Sequence, residues 1–154
     1  MNRTESALKL QQIIDEVENR DASFQAVCAV LVQVLLRVLA AETTVLSSAI
    51  SLTHKNKLDG MCREVRELID ILAPFVPGGP HMPIRPASES SWWYSLSEAT
   101  HVVEESAEQL SAVVAKQEKR AKLRNMAARV VSLLRDHYNN LLAESQSWLD
   151  DFSD

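Results

Sequence analysis

Almost nothing in this sequence interrupts a helix. Glycine occurs three times, at 60, 78 and 79, and all five prolines fall between Pro74 and Pro86. Elsewhere the chain lacks both residues that break helices, one through a lost hydrogen bond and a clash, the other through excess backbone freedom. Aromatics make up only 5% of the 154 residues, too few for the cross-strand pairs of a sandwich or barrel. Two cysteines, Cys28 and Cys62, cannot make a disulfide framework; both lie in apolar runs and read as reduced, buried thiols. The first residues, MNRTESALKLQQ, contain no apolar run, so no secretory leader is expected. The setting expected is therefore intracellular, the cytoplasm first and the nucleus second, and the sequon at Asn2 carries no weight there. His-Glu-x-x-His, Cys-x-x-Cys, phosphate-binding glycine loops and nucleophile elbows are all missing. No enzyme activity, cofactor, metal or small-molecule substrate is expected. A formal net charge of −5 argues against nucleic acid or an anionic membrane as the main partner.

What is present is helical periodicity. Ala7, Leu10, Ile14 and Val17 recur at steps of three and four, predicting an amphipathic helix over 4–18 that ends at Asn19–Asp21. Asp21 is placed to cap a second helix over about 22–53. There Phe24, Cys28, Leu31, Leu35, Val38, Val45 and Leu52 form one stripe, while Val27, Val30, Val34 and Leu39 cover other sides. A helix apolar nearly all round needs neighbours all round, so it is expected at the centre of a bundle. Its most apolar run, 26–41, contains Gln33 and Arg37 and falls short of the roughly 20 apolar residues that span a bilayer. The segment THKNK, 53–57, reads as a polar corner. A third helix then runs to about 73, where Pro74 stops it.

Residues 75–94 read as a proline-stiffened linker. Within it, GPHM at 79–82 resembles the remnant of protease cleavage and cloning, in which case 83 onward is a second segment joined to the first. Ser95 and Glu98 have the spacing of a capping box, with Tyr94 just ahead of it. From there to about 149 neither glycine nor proline occurs. An unbroken helix of that length would extend about 80 Å at ~1.5 Å per residue. The expected fold is all-α: an elongated antiparallel bundle of two short helices flanking a long buried one, in which the hairpin unit 1–74 and a very long helix over 95–154 pack together as one domain. The alternative is a compact four- or five-helix bundle broken near 120–126.

Candidate sites are few. Trp92, Trp93 and Tyr94 stand together where the linker meets the last helix, either as a plug for the core or as a hook for a partner. Trp148, Leu149 and Phe152 lie among acids at the C-terminus, like the short aromatic–acidic helical motifs that dock into grooves. Lys116, Lys119, Arg120, Lys122, Arg124 and Arg129 oppose only Glu118 in 116–129, while Glu104, Glu105 and Glu108 precede them. Glu98 and His101 have a metal-ligand spacing, but a second such pair is missing. The function expected is a non-enzymatic helical interaction module, a scaffold, adaptor or subunit of an assembly. It would bind a protein partner or its own copy through apolar stripes and aromatics. The alternative is an anionic-ligand binder, for nucleic acid or phosphoinositide, acting through 116–129.

Overall fold

The structure, a computed structural model, describes residues 3–49, 51–79, 91–117 and 119–152, with the backbone alone given for 148 and 150–152. Among the described residues there are five α-helices: α1 (Glu5–Asp15), α2 (Ala22–Ser48), α3 (Leu52–Leu72), α4 (Trp92–Lys116) and α5 (Ala121–Phe152). A single 3-10 turn, Ala73–Phe75, follows α3. Four of the helices begin on a side-chain cap. Thr4, Asp21, Ser51 and Ser91 accept from the backbone N–H of Ala7, Phe24, His54 and Tyr94. Each cap satisfies one of the donors that a helix start leaves without a partner, typically worth ~1 kcal/mol.

Helix α2 is the centre, as its all-round apolarity predicts. Twelve of its residues are buried, from Phe24 to Val45, and α3 and α4 pack on its flanks. By length and composition it could also cross a membrane. In this fold its apolar faces are instead covered by its neighbours. Helix α5 packs on α4, and α1 fills the gap between α3 and the first half of α5. Helices α2 and α5 run one way and α1, α3 and α4 the other. At one end Phe24 meets Phe75 edge-on at 5.3 Å, Arg20 lies over the Phe75 ring, and Arg120 bonds Asp21. At the other end Trp92 lies against His54, and Glu144 meets His54 and Lys57.

Three sequence-based expectations are corrected. The single helix over 95–149 is two helices, α4 ending at Lys116 and α5 starting at Ala121 and running back antiparallel to it, which is the compact alternative, with the break slightly ahead of the one placed at 120–126. Magnitudes explain it. Lys, Gln, Glu and Arg favour helix by only tenths of a kcal/mol each. Folding back lets Leu123, Met126, Val130, Leu133, Leu134 and Leu141 bury fully, at ~1.5–3 kcal/mol per large apolar side chain. Arg120 then fastens the corner, donating to Asp21 at 2.7 Å and to the Asn19 carbonyl at 2.9 Å. Second, α2 ends at Ser48 and α3 already starts at Leu52, so THKNK forms the first turns of α3, with Ser51 supplying a cap ahead of it. Third, α4 starts three residues before Ser95. Ser91 is the cap, and Ser95 lies buried in the second turn. The linker over 75–94 therefore shortens, its ends being taken by the 3-10 turn and by α4. The possible cloning remnant at 79–82 lies outside the described residues from Pro80 on.

Candidate functional site

Charged residues inside the bundle are the first place to look for chemistry. Glu42 on α2 and His137 on α5 are fully buried, and His137 Nδ1 lies 2.7 Å from Glu42 Oε2. Its other nitrogen is 3.6 Å from Glu64 Oε1 on α3. Burial opposes a charged imidazole, but hydrogen bonds and charge from Glu42 and Glu64 outweigh it and hold His137 up at about 9. The cluster thus ties three helices together through a cation held between two carboxyl groups. Cys62 lies two residues before Glu64 on α3, its thiol pushed up to about 11 by burial and then by Glu42, and burial takes Cys28 up to about 12. Neither is a nucleophile at neutral pH. A second cluster, near the other end of α5, joins Glu144 to His54 and Lys57, with His54 resting on Trp92. No group of three or more His, Cys, Asp or Glu among the described residues is arranged to hold a metal ion. These clusters are built as internal ties.

The sequence-based sites divide. Trp92 is half-buried against the core and His54, so it is the plug. Trp93 and Tyr94 are exposed on the outside of the same turn. Leu149 is exposed on α5, whereas the side chains of Trp148 and Phe152 lie outside the described residues. The basic residues do not lie along one continuous helix. They cluster around the α4–α5 corner, and two face acidic residues 15–21 of their own chain: Arg120 bonds Asp21, and Lys122 donates to the Glu16 carbonyl. Arg129 turns inward, bonding Ser132. Lys116 and Lys119 remain exposed on the outside of the corner.

The feature with an outward face is the seam between α4 and α5. Two adjoining depressions of about 490 and 450 Å³ run along it and share Ser111 and Arg135. The lower is also lined by Val114, Ala128, Val131, Ser132 and Asp136, the upper by Glu104, Ala107, Glu108 and Tyr138. Ser111 gives its hydroxyl to the Ala107 carbonyl, as Thr100 does to Leu96. Those two hydroxyl donors are satisfied within the helix. Glu104 meets Tyr138 across the seam, and its charge holds the phenol above its ordinary range. That pair sets the register. Trp93 lies eleven residues before Glu104, and Leu149 eleven after Tyr138. Eleven residues make three helical turns to within ~20°. Trp93 and Leu149 therefore stand at the same level on the extension of the groove, with Leu142 one turn beyond Tyr138. They are 38%, 44% and 43% exposed.

On α4 the seam positions 93, 97, 100, 104, 107, 111 and 114 alternate steps of four and three, the spacing of a coiled-coil stripe. It is a second stripe, distinct from the buried one through Leu96, Ala99, Val103 and Leu110. Sequence reasoning missed this outer stripe because it mixes Ser, Thr and Glu with apolar residues. It also missed the buried clusters, although the signal was there. Glu42 sits between Val38 and Val45, and His137 between Leu134 and Leu141, each at a core step of its own stripe. A charged residue on a core step needs a buried partner. No family model, curated protein or solved structure matches the chain.

Proposed function

We infer that the protein is a non-catalytic helical binding module whose outer α4/α5 seam receives a helix from a partner protein. The observation that carries this reading is the seam: two contiguous depressions continued by exposed Trp93, Leu142 and Leu149 along one pair of helices. A helix laid there would turn a two-helix surface into a three-helix one, burying apolar side chains at a third set of steps. The internal ionisable groups support a binding role, since His137 and His54 are engaged with carboxyl groups and both thiols are held protonated. The alternative, an anionic-ligand site at 116–129, is less well supported because Arg120 and Lys122 are already committed to the 16–21 segment.

The test is binding of a labelled amphipathic peptide with a Leu/Ala face and neutral flanks, followed by fluorescence anisotropy. Leu142→Ser with Leu149→Ser should weaken it about tenfold or more, equivalent to losing ~1.4 kcal/mol or more of apolar contact. The thermal melt should stay unchanged, because both side chains are exposed. Unchanged binding in a folded variant would remove the seam from consideration.

A further inference from the structure

We propose that the helix received by the seam is cationic, with Lys or Arg flanking its apolar face; this rests on the seam being a helix-docking surface. The charge distribution of the α4–α5 hairpin carries it. From residue 92 to 115, and again from 136 to 154, there is not one Lys or Arg. Those two stretches hold nine acids: Glu98, Glu104, Glu105 and Glu108 in the first, and Asp136, Glu144, Asp150, Asp151 and Asp154 in the second. All seven basic residues of the hairpin lie between Lys116 and Arg135, at its closed end. Among the described residues, the antiparallel pairing puts Glu98, Glu104, Glu105 and Glu108 of α4 beside a stretch of α5 that carries Asp136 and, above Arg135, no Lys or Arg to offset them.

The acids also fall where a docked helix would feel them. Glu104 and Glu108 line the upper depression, and Glu105 is exposed beside them, its carboxyl 3.4 Å from His101. Glu144 points the other way, into the bundle, toward His54 and Lys57. Arg135, bonded to Ser111, marks the lower limit of the acidic zone. The apolar contacts a guest helix needs, Tyr138, Leu142, Leu149 and Trp93, lie above that limit. A guest with acidic flanks would place like charges against Glu104 and Glu108, and one with basic flanks would be attracted and steered. An antiparallel second copy fits less well. Centred on Ser111 and Arg135, its corner ends about nine residues, or ~14 Å, above the axis. Leu149 stands fourteen residues beyond Arg135, about ~21 Å, and so stays uncovered.

The experiment uses the full chain and three designed peptides of about 21 residues, the length of the seam from Trp93 to Val114. All share one Leu/Ala face; their flanks carry Lys/Arg, Gln or Glu. Affinities are read by anisotropy at low and physiological salt, on wild type, Glu104→Lys/Glu108→Lys and Leu142→Ser/Leu149→Ser, each checked by a circular dichroism melt. The cationic peptide is expected to bind about tenfold or more tighter than the anionic one. That preference should shrink with salt and collapse or invert in the Glu104→Lys/Glu108→Lys protein. Equal affinity for all three peptides, still lost in the Leu142→Ser/Leu149→Ser protein, would overturn the cationic assignment and leave the docking surface standing. Cationic binding that ignores Leu142 and Leu149 would overturn both. A light-scattering mass of a dimer that takes up peptide only on dilution would make a second copy the occupant and overturn the assignment. The salt titration on wild type decides the charge question even if the charge-reversed protein does not fold.

Discussion

Replacing His137 with leucine should be among the most damaging single changes in the molecule, and adding Glu42→Leu should reverse most of the damage. Glu42 is fully buried, its Oε2 has His137 at 2.7 Å, and its Oε1 has no hydrogen-bond partner among the described residues. Removing the imidazole strands a carboxyl group in the core. Breaking a buried pair from one side costs ~3–5 kcal/mol, whereas exchanging both partners for apolar groups ranges from neutral to a gain of ~1–4 kcal/mol. Against a total stability of ~5–15 kcal/mol, the first change leaves little and the second leaves the fold intact. In the double variant leucines would sit on the stripes between Val38 and Val45 and between Leu134 and Leu141, where the core already accepts them.

The same cluster sets a pH dependence. His137 is held at about 9 against an ordinary 6.5. A group raised in the folded state contributes fully below 6.5, and its contribution is lost as pH rises through about 9. At ~1.4 kcal/mol per unit the loss is about 3 kcal/mol. The neighbours facing the imidazole are Glu42 from α2 and Glu64 from α3. The raised thiols of Cys28 and Cys62 add their own loss only above 9, so they do not blur this window. Urea unfolding followed by far-UV circular dichroism, repeated across that range, reads both effects. Wild type should weaken steadily while the double variant stays flat. A His137→Leu protein within ~1 kcal/mol of wild type at neutral pH, or a flat wild-type curve, would refute the reasoning.

Other expectations are simpler. Gly60 lies in an exposed turn of α3 with open space where a Cβ would go, so Gly60→Ala should raise stability by ~0.5–1 kcal/mol in the same assay. Cys28 and Cys62 should resist a thiol reagent in the folded protein at neutral pH and react only as fast as the chain opens; rapid labelling without denaturant would contradict their burial. Trp92→Ala should lower the melting temperature more than Trp93→Ala does, since it removes the ring packed on the core and His54 while Trp93 is the more exposed of the two. Equal effects would mean the two indoles do not divide into plug and surface.

The fold was legible wherever burial energy and local signals agreed. Asp21 reads as a cap, the run after it reads as a buried helix, and both are so. The break between α4 and α5 was less legible because local propensity argued one way and tertiary burial the other. A stretch of good helix formers breaks when the stripe after it, Leu123 to Leu141, gains more by folding back. Ser95 misled for a related reason: Ser91 offers an equally good cap one turn earlier, and starting there brings Trp92 onto His54. The buried Glu42–His137–Glu64 contact joins residues far apart in the chain, so spacing alone could not pair them, although each interrupts an apolar stripe. The α4/α5 seam was the hardest to see. Its residues share a face only once the hairpin closes, and only Trp93 and Leu149 stood out beforehand.

The central claim, a helix-docking seam, is tested most directly by methyl chemical-shift mapping on the full chain as the cationic amphipathic peptide is added. Leu142, Leu149, Val131, Val114 and Ala107 should shift together and saturate with a single affinity. Leu8 and Leu52, which are at least as exposed at 57% and 72% but stand on other helices, should stay put. Shifts centred on Leu8 or Leu52, or none at all at saturating peptide, would contradict the account.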